Sequence, residues 1–188
     1  LDREIGGTQE TLWHFAWLGA VVYETGDLAG AKAHFQEAIR LAGEQNATIG
    51  VFQACCLIAV HLALGDGAAA LEAVRQIQPY AEMKGDPGDM GAWHSMAGAA
   101  HGSGLLAEAE DPLPYFERAL ALLGDGDPFA HGATLRRYGA YLMRNGSRER
   151  GLEHLQESQR IFERIGARGE LAKVTRLLTG NEDPRLRW

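Results

Sequence analysis

The sequence predicts an all-α fold: a two-layer, right-handed superhelix of about four helix-turn-helix repeats, closed by a C-terminal capping helix. Ala, Leu, Glu and Gln are abundant whereas Val and Ile are few, which favours helix over strand. Apolar residues recur at helical spacing along the 188 residues. Glycines also recur at a nearly constant interval, which is typical of a repeat architecture.

Four glycines divide the chain into similar segments. Gly26, Gly65, Gly104 and Gly146 each follow an apolar-periodic stretch, and they are spaced by 39, 39 and 42 residues. Glycine is favoured just after a helix, where the backbone takes the left-handed conformation. Each glycine is therefore predicted to end the first helix of a repeat.

The first helix of each repeat carries the same packing face. Residues 11, 8, 7 and 4 positions before the glycine fall on one side of a helix, with a small residue near the middle that lets a second helix approach closely. The four sets are Phe15, Leu18, Gly19 and Val22; Ala54, Leu57, Ile58 and His61; Trp93, Met96, Ala97 and Ala100; and Leu135, Tyr138, Gly139 and Leu142.

The second helix of each repeat is predicted from the apolar residues after the glycine. The third repeat is displaced by three residues, after a loop around Glu110-Asp111-Pro112 in which Asp can cap a helix and Pro can occupy its first turn. The predicted packing residues are Ala31, Phe35 and Ala38; Ala70, Val74 and Ile77; Phe116 and Ala119; and Gly151, Leu155 and Ser158.

These patterns predict nine helices in one domain, residues 1–180, followed by a flexible tail at 181–188. The helices are expected near 9–24, 28–44, 47–64, 67–83, 88–102, 112–123, 128–144, 148–165 and 168–179. They form repeats near 9–46, 47–86, 88–125 and 128–166, and 168–179 is a solvating cap.

Composition excludes several classes of function. The net charge of -7 opposes direct nucleic-acid binding by this chain, because phosphate recognition needs a clustered basic surface. There is no apolar run long enough to span a membrane and no secretory signal, so we expect no membrane association. Cys55 and Cys56 are adjacent and poorly placed to form a disulfide with each other, which favours a cytoplasmic location.

The repeat pattern resembles a known family. The spacing Phe15-x2-Leu18-Gly19-x2-Val22-x3-Gly26, continued by Ala31-x3-Phe35-x2-Ala38, resembles the tetratricopeptide repeat, and Trp93 occupies the family's leading Trp position in the third repeat. The period is longer than the 34 residues of that family. The family's Tyr position holds Val22, His61, Ala100 or Leu142.

Longer repeats of this kind resemble the helical sensor arm of the large ATP-binding LuxR-type, MalT-like transcription regulators. Roughly the last 55 residues carry this resemblance, through Asp127-Pro128-Phe129, the stretch from Thr134 to Gly139, and that from Ile161 to Ala167. The sequence contains no Gly-x4-Gly-Lys-Ser/Thr phosphate loop, and no helix-turn-helix domain follows residue 180. The resemblance implies a sensor arm alone.

A catalytic or metal site is not predicted. None of the seven histidines forms His-Glu-x-x-His, no Cys-x2-Cys pair occurs, and the Gly-x-Ser-x-Gly nucleophile turn is absent. Glu108, Glu110 and Asp111 fall in a solvated loop with no apolar wall to raise a pKa. We therefore expect no enzyme activity, no metal and no cofactor.

Binding is expected on the concave surface, which the first helices of such an array line. Aromatic residues at one end and arginines at the other predict a partly apolar, elongated ligand with an anionic or carbonyl group at one end, or a helical peptide with an acidic terminus. Packing of Trp13, Phe52 and Leu62 against neighbouring helices is the alternative. The predicted groove residues are Trp13, Tyr23, Phe52, Leu62, His94, His101, Arg136, Met143 and Arg144, over a floor of Ala20, Ala59, Gly98 and Ala140.

Two functions fit these expectations. The first is a non-enzymatic sensor or interaction domain of a bacterial transcription regulator, which binds a small effector, peptide or protein segment in the concave groove. The second is a general scaffold for protein–protein interaction with no small-molecule effector.

Overall fold

A computed structural model describes residues 2–44, 51–124 and 126–181, and within them the chain forms nine α-helices and no strand. The all-α class and the number of helices are confirmed for this part of the chain. Residues 45–50, and 182–188 of the predicted tail, lie outside it. The helices are α1 (Asp2–Glu24), α2 (Leu28–Glu44), α3 (Val51–Ala63), α4 (Gly67–Lys84), α5 (Pro87–His101), α6 (Leu113–Leu123), α7 (Pro128–Arg144), α8 (Arg148–Ile165) and α9 (Arg168–Thr179).

Short polar signals set the helix ends. The side chains of Asp66, Asp86 and Asp127 accept hydrogen bonds from the backbone N–H groups three residues later, and so cap α4, α5 and α7. The four repeat glycines, Gly26, Gly65, Gly104 and Gly146, all have positive φ angles between 76° and 86°. Gly26, Gly65 and Gly146 lie two residues after the ends of α1, α3 and α7, as predicted, whereas the C-cap of α5 is Gly102 and Gly104 lies three residues after that helix.

Neighbouring helices pack as hairpins. α1 packs on α2, α3 on α4, α5 on α6, and α7 on α8. The first helices of successive hairpins also contact each other in chain order, from α1 through α3, α5 and α7 to α9. The second helices α2, α4 and α6 each pack against the first helix of the following hairpin. The right-handed superhelix of tetratricopeptide type stays a prediction.

The close helix crossings lie where small residues predict them. A Cβ atom on Gly19 would lie 2.9 Å from the Phe35 ring, and one on Gly139 would lie 2.9 Å from the carbonyl oxygen of Gly151. All the packing residues predicted for the second helices are buried: Ala31, Phe35, Ala38, Ala70, Val74, Ile77, Phe116, Ala119, Gly151, Leu155 and Ser158.

Part of the packing face predicted for α1 is exposed rather than buried. Leu18 is 48% exposed, although its repeat equivalents Leu57, Met96 and Tyr138 are buried. In α3, α5 and α7 this edge is covered by the preceding hairpin. Val21 is exposed on the same edge of α1.

Candidate functional site

A cavity of about 260 Å³ lies among the first helices of the hairpins and α9. Small side chains at many positions leave the space open, and most of the wall is apolar. The lining residues are Trp17, Ala20, Tyr23, Glu24, Phe35, Cys55, Cys56, Ala59, Ala92, Ser95, Met96, Phe129, Ala130, Ala133, Thr134, Arg137, Glu170 and Lys173.

The repeat places one equivalent position from each first helix against this cavity. Trp17, Cys56, Ser95 and Arg137 each stand nine residues before the glycine of their repeat, and all four line the space. An indole, a thiol, a hydroxyl and a guanidinium therefore face one volume from four successive hairpins. The backbone repeats, whereas the chemistry presented to the cavity differs at each position.

The polar part of the wall centres on α5 and α7. Arg137 Nη1 donates a hydrogen bond to Ser95 Oγ at 3.2 Å, and Thr134 Oγ1 lies 3.0 Å from the same oxygen. Burial, together with the neighbouring charge of Arg136, lowers the pKa of Arg137 to about 10. The guanidinium therefore stays protonated at neutral pH.

A network of ion pairs joins α7, α9 and α1 beside the cavity. Glu170 accepts from Arg136 Nε at 3.0 Å through one oxygen and from Lys173 Nζ at 2.7 Å through the other. Lys173 Nζ also donates to Glu24 at 2.8 Å. Burial opposes ionisation of Glu170, but the attraction of Arg136 and Lys173 outweighs it and lowers the pKa of this carboxyl to about 2.

Of the predicted groove residues whose side chains the structure describes, Tyr23 lines the cavity, together with Ala20 and Ala59 of the predicted floor. Tyr23 is only 9% exposed, and its hydroxyl has no hydrogen-bond partner among the residues that the structure describes. Burial raises the pKa of this phenol to about 12, so the group remains a donor. A buried donor without a partner costs stability, about 1 to 3 kcal/mol, and its presence on the cavity wall points to a ligand acceptor.

The arginines predicted as the cationic end of the groove lie elsewhere. Arg136 was expected to be exposed, but it is 1% exposed and paired with Glu170, so this expectation is wrong. Arg144 is exposed at the end of α7 and does not line the cavity. Arg137, which follows Arg136 in the sequence, supplies the guanidinium on the cavity wall instead.

The other described groove residues pack between helices. The imidazole rings of His94 and His101 lie against Tyr115 of α6, with centroids 6.1 and 5.2 Å away, and His101 Nδ1 accepts from the backbone N–H of Glu110. Leu62 is buried in the core, and half-buried Met143 packs on α8. None of these four residues lines the cavity, and the burial of Leu62 fits the alternative of packing against neighbouring helices. The side chains of Trp13 and Phe52 lie outside the described residues.

The error has a geometric cause. Successive residues turn about 100° around a helix, so positions ten and nine before the glycine face different neighbours. The prediction used mainly the positions thirteen, ten, six and three before the glycine. Ala20, Ala59 and Tyr23 among these line the cavity, whereas His94 packs against α6 and Arg136 pairs with α9. The position nine residues before the glycine carries no aliphatic residue in any of the four repeats, and this pattern could have identified the helix face that lines the cavity.

Two further findings bear on the chemistry of the described residues. No group of three or more His, Cys, Asp or Glu side chains in that part of the chain is placed to hold a metal ion. Cys55 and Cys56 are thiols whose pKa values are raised by burial, that of Cys56 to about 11, so they are poor nucleophiles at neutral pH.

Across the described ranges, none of the helices combines the length and apolar character needed to cross a membrane.

Comparison with known proteins finds neither a family model nor a curated protein that matches this chain. The tetratricopeptide and LuxR-type resemblances therefore stay predictions.

Proposed function

We propose that this chain is a non-enzymatic binding domain whose cavity holds a small, partly apolar molecule. The observation that carries the proposal is the arrangement of Trp17, Cys56, Ser95 and Arg137, which present the same repeat position from four helices to a single space. Apolar walls would supply affinity, and the few polar groups would orient the ligand, as in small-molecule sites generally.

The size of the cavity favours a small effector over a helical peptide. Sites for drug-sized ligands span roughly 300 to 1,000 Å³, and this cavity of about 260 Å³ falls just below that range. The ion pair between Glu24 of α1 and Lys173 of α9 also crosses one side of the space. A peptide could place only a side chain in this space, whereas a small molecule could fit within it.

The biological setting follows from the resemblance of the last repeat to regulator sensor arms. We propose that this domain serves as the sensor arm of a cytoplasmic bacterial transcription regulator and that ligand occupancy is transmitted to other domains of that regulator. The residues that support it are those from Asp127 to Ala167.

The second candidate function is a protein-interaction scaffold without an effector. The exposed edge of α1 favours it, because Leu18 and Val21 are apolar side chains open to solvent at positions that are covered in α3 and α5. A helix or hairpin from a partner protein could pack on this edge as the preceding hairpins pack on the later first helices.

Ligand-observed NMR separates the two functions. A panel of neutral, anionic and cationic fragments is screened against the wild type, and hits are repeated with Ala92→Leu, which fills the cavity from a half-buried position on its wall. Ala69→Leu, at a half-buried position of α4 away from the cavity, is the matched control. We expect fragments whose binding is weakened by Ala92→Leu but not by Ala69→Leu. Hits unaffected by Ala92→Leu, or no hits at all, would favour the scaffold.

A further inference from the structure

Several polar groups on the cavity wall already have partners within the fold. Lys173 Nζ donates to Glu24 at 2.8 Å and to Glu170 at 2.7 Å, and all three side chains line the cavity. Arg137 Nη1 donates to Ser95 Oγ, and both of these residues also line it. These groups therefore do not depend on a ligand for their hydrogen bonds.

The hydroxyl of Tyr23 is different. Tyr23 lines the cavity, and its hydroxyl is buried with no hydrogen-bond partner among the residues that the structure describes. The charges of Glu24, Arg137 and Glu170 act on this phenol, which places it beside the polar part of the wall. Because a buried donor without a partner costs stability, an acceptor brought by a ligand would supply the hydrogen bond that the described fold leaves unmade.

A ligand with a full charge fits this wall poorly. An anion would be repelled by Glu24 and Glu170. A cation would be repelled by Arg137 and Lys173. Removing a charge from water is costly unless several hydrogen bonds replace its hydration, and the Tyr23 hydroxyl offers one. An uncharged carbonyl oxygen loses far less hydration, so a single donor can compensate for most of the loss.

The volume of the cavity limits the size of the ligand. A cavity of about 150 Å³ with apolar walls holds benzene. By proportion, a cavity of about 260 Å³ holds a molecule of about ten non-hydrogen atoms. Trp17 and Phe129 line the space but are 61% and 41% exposed, so they lie where it opens to solvent, whereas Ala59 and Ala133 form buried parts of the wall. The apolar body of a ligand would lie between these side chains.

We propose that the ligand of this cavity is an uncharged, largely apolar molecule of about ten non-hydrogen atoms, whose carbonyl oxygen accepts a hydrogen bond from the Tyr23 hydroxyl. Its apolar body packs against Trp17, Ala59 and Ala133. This inference rests on the proposed binding function and specifies its ligand class. Carboxylates and cationic compounds of the same size are expected to bind less tightly.

Four probes of nearly equal size and shape test the charge. They share a phenylethyl group and differ at the other end: 4-phenyl-2-butanone carries a ketone, 3-phenylpropanoate a carboxylate, 3-phenylpropanamidine a cationic amidinium, and isopentylbenzene no polar atom. Calorimetry gives the dissociation constants of the first three, and competition with the ketone gives that of the hydrocarbon. We expect the ketone to bind the wild type at least about tenfold more tightly than either charged probe. A charged probe that binds as tightly as the ketone would overturn the uncharged class.

Tyr23→Phe tests the hydrogen bond. We expect this variant to bind the ketone about fivefold to tenfold less tightly and to bind isopentylbenzene as the wild type does. The variant removes a hydroxyl that has no partner in the described part of the chain, so the fold is preserved. Tyr80→Phe, at an exposed position of α4 that does not line the cavity, is the control and should bind all four probes like the wild type. If Tyr23→Phe binds the ketone as tightly as the wild type, the proposed hydrogen bond is wrong.

The outcomes separate this inference from the proposed function. If a charged probe binds best and Ala92→Leu weakens its binding, the cavity is a ligand site and the uncharged class is wrong. If Ala92→Leu leaves the binding of every probe unaffected, the cavity is not the site and the proposed function fails as well. If none of the four probes binds while other fragments bind and are weakened by Ala92→Leu, the cavity takes a ligand of another class.

Discussion

Glu170 holds α9 against α7 and, through Lys173, against α1. Its carboxylate is 12% exposed and accepts from two cations on opposite sides. Removing one member of such a buried cluster leaves its partners charged and desolvated, and this costs more than the net contribution of the intact pairs. The stability of the chain should therefore depend on the ionisation of this one carboxyl.

Acid titration tests that dependence. The pKa of Glu170 is about 2 in the folded chain against an ordinary value of 4.5, so its stabilising contribution is complete above pH 4.5 and is lost as pH falls toward 2. We expect Glu170→Gln to lower the free energy of unfolding at pH 7 by about 3 kcal/mol. In urea unfolding, this difference from the wild type should shrink between pH 4.5 and 2. A difference that stays constant over that range would contradict the assignment.

Tyr23 gives the opposite expectation for stability. Because its buried hydroxyl has no partner in the described part of the chain, Tyr23→Phe should leave the free energy of unfolding of the ligand-free chain unchanged or raise it by about 1 kcal/mol. Tyr115→Phe is the control, because it removes a 2.7 Å hydrogen bond to Glu110 and should destabilise slightly. Thermal unfolding followed by circular dichroism compares the two. Clear destabilisation by Tyr23→Phe would mean that the hydroxyl has a partner in the fold.

At the scale of single residues, the sequence predicts some residues of the cavity wall and misses others. Tyr23 was predicted, whereas Arg136 was predicted in place of Arg137. Two adjacent arginines look alike in a periodic pattern, and what separates them is Glu170, which lies 34 residues after Arg136 and pairs with it. Local periodicity carries no information about that contact.

Helix ends and helix crossings were predictable because their causes are local. An Asp cap, a glycine with positive φ and a small residue facing a large one each act within a single hairpin. The open face of each first helix is different, because it depends on which edges the neighbouring hairpins cover. The prediction therefore found Ala20, Ala59 and Tyr23 but missed the ninth position before each glycine, which lies one residue, or about 100° around the helix, from the tenth.

The crossing of α7 and α8 provides a test at the level of elements. A Cβ atom on Gly139 would lie 2.9 Å from the backbone oxygen of Gly151, and backbone cannot move aside as a flexible side chain can. Gly139→Ala should therefore lower the free energy of unfolding by about 1 to 3 kcal/mol.

The matched control for that crossing is Gly169→Ala in α9, where an added Cβ atom meets nothing within 4 Å. Alanine favours helix over glycine, so this variant should keep stability or raise it by up to about 1 kcal/mol. Urea unfolding of both variants gives the comparison. A Gly139→Ala variant as stable as the wild type would show that the two helices can separate at no cost.

On the scale of the whole molecule, the end of the first helix, α1, contacts the last helix, α9, of the described chain. Repeat arrays are usually held by contacts between neighbouring units. Here Lys173 reaches Glu24, 149 residues away, and its ammonium lies 5.8 Å from the centroid of the Tyr23 ring. The sequence predicted α9 only as a solvating cap, because pairing between the first and last helices leaves no trace in a periodic pattern. Tyr23 also lines the cavity, which therefore adjoins this contact.

Removing the lysine should loosen α1 without disturbing the middle of the array. Lys173→Met keeps the length of a side chain that is 9% exposed but removes its bonds to Glu24 and Glu170. Opening of the last turns of α1 should then cost less free energy, and amide hydrogens near Tyr23 should exchange about tenfold faster or more, since each tenfold corresponds to about 1.4 kcal/mol. Exchange of the amides of α4, which does not touch α9 in the described contacts, should be unchanged.

Arg176→Met, at an exposed position of α9, serves as the control. Equal exchange in α1 for the two variants would show that the contact between Lys173 and Glu24 contributes nothing to the stability of α1.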